Sequence, residues 1–304
     1  VFRRFYIRLT IAIALSLCAI ARVDATELVS MMDLAGAISR ANQVSVSAYT
    51  LGNGPILHAL VLAAARGAQV NVVLDRFAFT EDVRQQNREL KKYLDANKVP
   101  VTWSRSASHI KAIIADGTLY LSDVNFSARN GMVIADTNAL HLAAVQQSIN
   151  TGTPAAYVQG LAIRKNDALA VEANVMSDGI KALVFQSESF GAGTKTYDAL
   201  VDAARSHRPV RVIVARREYD ASPGEQRALA QLASAGVQIH ISPLANEKIA
   251  VSDRAAWLGS ANSTRGVSDQ IEWGMVLTSP SAMAILLTQF ESNWNNSTPL
   301  ASAP

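Results

Sequence analysis

Hydrophobic and polar positions change period along the chain in an order that occurs twice. Residues 44–47 alternate as a half-buried strand does, residues 56–65 are apolar over a helical length, and residues 70–74 form the short apolar run of a buried strand. The same succession returns at residues 183–186, 197–204 and 210–214. Each block continues through a polar helix, over 82–94 and 224–235, into a short strand. Further on, Gly131-Met132-Val133-Ile134-Ala135-Asp136 is matched to Gly274-Met275-Val276-Leu277-Thr278-Ser279, with a helical pattern after both. Alternating strands and helices predict an α/β layered fold, present twice. Gly, Thr and Pro cluster at residues 150–156, where the halves meet, giving repeats over 26–150 and 151–304.

The first 25 residues fall outside this pattern. Arg3, Arg4 and Arg8 precede an apolar run over 9–21, and Val23 and Ala25 put small side chains at −3 and −1. That is the layout of a cleaved signal peptide, too short for a typical spanning helix, and it predicts a secreted or periplasmic protein. A retained N-terminal anchor is the alternative, and Arg3-Arg4 leaves the general and twin-arginine routes both open. The leader carries the whole net charge of +3: beyond it remain 24 of the 28 Lys and Arg and 24 of the 25 Asp and Glu. A neutral chain lacks the broad basic field of a dedicated nucleic-acid binder, so nucleic acid is the less favoured partner. The one cysteine, Cys18, lies in the leader, so the exported part needs no disulfide.

The chemistry-bearing residues sit at matched places. His109-Ile110-Lys111 is followed five residues after the lysine by Asp116, and a shift of 137 residues finds Asn246-Glu247-Lys248 and Asp253 in the same spacing. The register runs ungapped from 99–127 onto 236–264, pairing Tyr120 with Trp257 and Asn125 with Asn262. It ends on Gly259-Ser260-Ala261-Asn262 against Ser122-Asp123-Val124-Asn125.

On these residues the chain resembles the phospholipase D superfamily, whose members carry two His-x-Lys-x4-Asp motifs, each followed by Gly-Ser-x-Asn. The similarity spans essentially everything after the leader. It implies two phospholipase D-like α/β/α repeats about a pseudo-twofold axis, with the active site at their interface and no metal or other cofactor. It further implies His109 as the nucleophile that forms a phosphohistidine, and Glu272 as the acid from the opposite repeat that orients it. Lys111, Lys248, Ser260, Asn262 and, more weakly, Asn125 would bind phosphate, while Asp116 and Asp253 would support the repeats. Such a set suits the reaction. Lysines and amide donors neutralise an anionic diester without metal, and a neutral imidazole can attack the phosphorus they hold. The departure is Asn246, which stands where a second histidine would exchange protons with the leaving group; an amide cannot do so near neutral pH. The matched acid is also missing, its place falling on Arg129, so the acid–base half is read as eroded.

The remaining candidates read mainly as structure. His240 could replace the missing acid only if its strand faced the cleft; His58, His141 and His207 have no metal-ligand spacing. Trp103, Tyr120 and Trp257 adjoin the motifs and suit core packing at least as well as a substrate cleft. Three functions follow: an exported phosphodiesterase acting on phospholipid headgroups, with peripheral membrane contact; a catalytically silent phosphate or phospholipid binder; and a periplasmic nuclease.

Overall fold

The computed structural model describes residues 26–127, 131–243, 245–266 and 268–300. The leader over 1–25, and Arg129 with it, lie outside the described residues.

The first repeat runs β1 (Thr26–Val29), α1 (Met31–Arg40), β2 (Gln43–Ala48), α2 (Pro55–Ala65), β3 (Gln69–Leu74), α3 (Glu81–Ala96), β4 (Val101–Trp103), β5 (Lys111–Ala115), β6 (Thr118–Ser122), β7 (Val133–Asp136) and α4 (Ala139–Thr151). The second runs β8 (Leu161–Arg164), α5 (Lys165–Asp178), β9 (Leu183–Ser187), α6 (Lys195–Arg205), β10 (Val210–Ala215), α7 (Arg216–Ala221), α8 (Pro223–Ser234), β11 (Gln238–Ser242), β12 (Ile249–Val251), β13 (Ala256–Gly259), β14 (Ile271–Leu277), α9 (Pro280–Asn295) and β15 (Thr298–Pro299). Helix starts follow local chemistry. Ser30 and Asp33 close a capping box on α1, Thr80, Asn138, Thr194 and Ser222 accept first-turn N–H groups, and Pro55, Pro223 and Pro280 begin their helices.

Each repeat folds into one mixed sheet, and the two orders correspond. The first is β1-β7-β6-β5-β2-β3-β4; the second, read from its far end, is β8-β14-β13-β12-β9-β10-β11 with β15 added. The strands β2, β3 and β4 run parallel, as do β9, β10 and β11, with helical crossovers between them. The rest of each sheet is antiparallel.

Three cores result. One lies between the first sheet and α1 to α3, and a second between the second sheet and α5, α6 and α8. The third is shared: Ile110, Leu119 and Leu121 pack with Leu258, Ile271, Trp273 and Met275, covered by α4 and α9. It joins the repeats. Two further ties cross it, Trp273 Nε1–H donating to Ser122 O at 3.0 Å and His141 Nε2 within 3.1 Å of Val158 O in the linker.

Candidate active site

The site is built where this seam reaches the motifs. His109 lies in the link between β4 and β5; its backbone N–H donates to Ile271 O at 2.9 Å, and the Ile271 N–H donates back to Ala107 O at 3.3 Å. The first motif is thereby zipped to the start of β14 in the opposite repeat. Residues i and i+2 of an extended chain project to one side, so His109 and Lys111 point together. His109 Nδ1 stands 3.1 Å from both carboxylate oxygens of Glu272. An ionised carboxylate only accepts, so Nδ1 carries the proton and donates, and Nε2 keeps a lone pair. Lys111 Nζ lies 3.0 Å from that Nε2.

Glu272 is itself fixed. Ser260 Oγ donates to it at 2.6 Å and accepts from the Trp273 N–H at 3.0 Å. The Tyr49 ring meets the imidazole edge-on, centroids 4.7 Å apart. Burial lowers the His109 pKa against the opposing pull of Glu272, which leaves a neutral imidazole. Burial also brings Lys111 down to about 7. Glu272 would be raised by its burial, but its interactions with His109, the nearby Lys111 and the Ser260 hydrogen bond keep it below the usual range.

The second motif is organised differently. Lys248 is buried like Lys111, and its Nζ donates to Asn246 O at 2.6 Å and to Glu188 Oε2 at 2.9 Å. Asn262 Nδ2 approaches the same Glu188 oxygen at 3.5 Å. Glu188 just follows β9. Gln186 stands across from Ile249 as Ser47 stands across from Ala112, so Glu188 holds in the second repeat the place that Tyr49 holds in the first. Burial would raise its carboxyl, but the charge and hydrogen bond of Lys248 override this and pull it down to about 2. Asn246 is half-buried beside Lys248. Glu247, matched to Ile110, is a buried carboxylate held by Gln186 Nε2 at 2.7 Å and by Gln289 and Asn293 of α9.

The ladder corrects one expectation from sequence. Matching Gly131 to Gly274 puts Arg129 opposite Glu272. The strands instead pair Ser122 with Val133 and Gly259 with Gly274, and Asp123 N–H donates to Met132 O as Ser260 N–H donates to Trp273 O. The offset is thus 141 residues here, four more than in the motifs, and Gly131 occupies the place of Glu272. The two glycines looked alike for unrelated reasons. A Cβ on Gly274 would meet the Trp257 indole at 2.4 Å, whereas one on Gly131 would meet Val124 Cγ2 at 2.2 Å.

This register shows how the eroded half is filled. Val124 stands where the second repeat has the small Ala261, and it closes the space a glutamate at 131 would need. Asp123 stands at the place of Ser260: its Oδ1 accepts the Met132 N–H at 3.0 Å, as Ser260 Oγ accepts that of Trp273. Its Oδ2 is buried without a partner among the described residues. Burial raises this carboxyl to about 8, aided by the charge of Glu247 and opposed by Lys248, so Asp123 is protonated at neutral pH.

Asn125 and Asn262 end at matched places, each with a buried Oδ1 lacking a partner among the described residues. A half-turn of either amide would present NH2 there instead. Asp116 accepts the N–H groups of Asn42 and Gln43 at 2.9–3.1 Å, and Asp253 those of Ile180 and Lys181 at 2.8 and 3.0 Å. Both brace the chain entering β2 and β9. His240 stacks on Trp294 at 3.6 Å and bonds Ser297, on β11, which β10 and β9 separate from β12, outside the cluster. His141 pairs with Asp136 at 2.6 Å, while His58 and His207 are exposed. Trp257 is core, and Trp103 and Tyr120 pack against the first core. Among the described residues no cluster of His, Cys, Asp or Glu could hold a metal ion, and no helix is long and apolar enough to cross a membrane. A groove of about 450 Å³ is lined by Ser189, Phe190, Thr264, Arg265 and the start of α8, and by none of the cluster's own side chains.

Sequence reasoning did not find Glu188 or Tyr49. They lie before the motif register begins, and only strand pairing shows that both end at the site.

Comparison with known proteins agrees with this architecture. A family model described as "Cardiolipin synthase, PLD-like domain" matches residues 34–145 and again 178–294. No curated protein matches in sequence. Among solved structures, phosphatidylserine synthase of Haemophilus influenzae superposes with a TM-score of 0.65 at 12% identity, over 90% of this chain and 87% of that one. Polyphosphate kinase from Porphyromonas gingivalis gives 0.59 at 14% identity over 91% of this chain, which spans about half (51%) of that protein. The fold is shared at identities too low to carry an activity across. With the domain matched once on each sheet and the two motifs meeting at the seam, the chain belongs to the phospholipase D superfamily, as a member with two phospholipase D-like repeats.

Proposed function

We propose that this protein is an exported phosphodiesterase that works without metal, through a phosphohistidine on His109, and that its acid–base step is weakened. The observation that carries the reading is the contact of His109 Nδ1 with Glu272 across the repeats at 3.1 Å, with Lys111 3.0 Å from Nε2. A neutral imidazole with its proton fixed on Nδ1 is a nucleophile at Nε2. Lys111, Lys248, Asn262 and Asn125 are the donors for the phosphoryl oxygens, and Ser260 keeps Glu272 in place. Nε2 attacks phosphorus, the bond to the leaving oxygen breaks, and that oxygen departs with the bonding pair. Water then attacks the phosphohistidine, returns Nε2 and leaves its proton to solvent.

Asn246 supplies no proton to the departing oxygen. A general acid is worth about two to four powers of ten, so esters with alkoxide leaving groups such as choline should turn over slowly, and aryl esters should suffer less. Phospholipid headgroups are the natural substrate class, at the surface of a membrane outside the cytoplasm; the neutral charge of the chain beyond the leader disfavours nucleic acid. The test compares nitrophenyl and choline diesters on the parent and on a relative with both histidines. A much larger aryl preference in the parent supports the reading, and equal relative efficiencies would refute it. A second reading, a phosphate binder without turnover, is favoured by the two buried lysines, Lys111 and Lys248, kept in a site whose second histidine is replaced by Asn246.

A further inference from the structure

The positive charge that an anion site needs is cancelled in the second half-site. Two of its donors, Lys248 Nζ and Asn262 Nδ2, both face Glu188 Oε2, at 2.9 and 3.5 Å. In the first repeat the matched place carries Tyr49, a neutral ring against His109. Lys248 is fully enclosed, 2% exposed, and cannot retreat to solvent; the Glu188 side chain is 32% exposed and can. The carboxylate also feels the charge of Lys111, so it lies within the field of both motifs, and it is ionised. A buried ammonium stripped of its counter-ion is costly, which keeps the seat filled by one anion or another.

We propose that Glu188 is a specificity residue that occupies the phosphate seat in the empty site, so that substrate binding is an exchange of one anion for another on Lys248 and Asn262. This rests on the reading of Lys111, Lys248 and Asn262 as phosphate donors. The side chain must swing outward when a phosphoryl group enters, and its charge then lies beside the bound anion. It therefore weakens binding of free phosphate and sets a threshold that only a substrate with further contacts overcomes. The same carboxylate neutralises Lys248 where a second catalytic histidine would otherwise stand nearby.

The test is titration calorimetry of inorganic phosphate into the intact protein at fixed ionic strength, with Glu188→Gln, Glu188→Ala and Lys248→Gln beside the parent. Removing the competing charge should tighten phosphate binding by about tenfold or more, since charges a few ångströms apart in a partly buried site interact strongly. Lys248→Gln should bind less well than the parent. Both Glu188 variants are read, so misfolding of one, seen in its melting curve, leaves the other to decide. Unchanged or weaker affinity in the Glu188 variants, with clear binding by the parent, overturns the role of Glu188 and leaves the seat standing. No binding by the parent or by either Glu188 variant overturns the seat itself, and Glu188 with it.

Discussion

Replacing Glu272 by Gln probes the link between the repeats with least change of shape. The carboxylate is enclosed, receives the His109 Nδ1–H at 3.1 Å and the Ser260 hydroxyl at 2.6 Å, and faces Lys111 through its charge. Glutamine keeps the volume and removes the charge. A hydrogen bond to a charged group is worth about 1.5–3 kcal/mol, roughly 10- to 150-fold in rate if all of it is felt when the imidazole becomes cationic at phosphorus. If the new NH2 turns toward Nδ1, the ring proton moves to Nε2 and the nucleophile is blocked, an error that costs about 10⁴ in a comparable triad. The expected loss is thus about one to four powers of ten in single-turnover release of nitrophenolate from a bis-nitrophenyl diester. Nitrogen-15 NMR of the His109 ring reads the tautomer independently of turnover, and the Nδ1–H signature of the parent should weaken or vanish. A variant within about twofold of the parent in rate, with an unchanged ring signature, would show that Glu272 does not position the nucleophile.

Three other outcomes follow from the same geometry. Asp116→Ala removes the acceptor for two backbone N–H groups and places alanine at φ 45°, where aspartate is tolerated better; thermal denaturation should register a loss of about 1–3 kcal/mol, with the parent's rate on aryl diesters retained. His141 is lowered by burial but raised overall by the hydrogen bond and charge of Asp136. Its stabilising contribution is therefore full below about pH 6.5, its unfolded value, and fades as pH rises through the higher folded value. His141→Gln should flatten that part of the melting temperature's pH profile, and an identical profile would contradict the assignment. Restoring the eroded half takes more than Asn246→His. With Asp123→Ser, Val124→Ala and Gly131→Glu added, turnover of a choline diester should rise well beyond the single variant, by up to about 10²-fold, and no gain would show that the half-site differs in some further way.

Much of this architecture could be read from the chain because each repeat obeys the same alternation. The strands at β2, β3, β9 and β10 and the helices at α2, α3, α6 and α8 fall where periodicity put them. The outer pairs β1–α1 and β8–α5 were not anticipated, although the Ser30–Asp33 box marks the first of them. The short β15 carries no periodicity to detect. At the site, motif spacing gave His109, Lys111, Lys248 and Ser260, the family resemblance added Glu272, and the fold brings these to one seam. Glu188 escaped because its role depends on which strand β12 pairs with, a long-range choice that local pattern does not encode. The slip at Gly131 has the same origin. Identity of residue type suggested a match, while backbone ladders set the true register two residues away, and only that register shows Asp123 and Val124 filling the space of a missing acid.

In the proposed reaction His109 becomes covalently phosphorylated. Incubation with a bis-nitrophenyl diester, acid-free quenching and intact-mass analysis followed by peptide mapping tests it directly. A single nitrophenylphosphoryl or phosphoryl adduct is expected on His109 in the parent and none in His109→Gln. The adduct should persist longer in the parent than in a variant with the second half-site restored. Absence of any adduct while nitrophenolate is released, or an adduct on another residue, would contradict the proposed reaction.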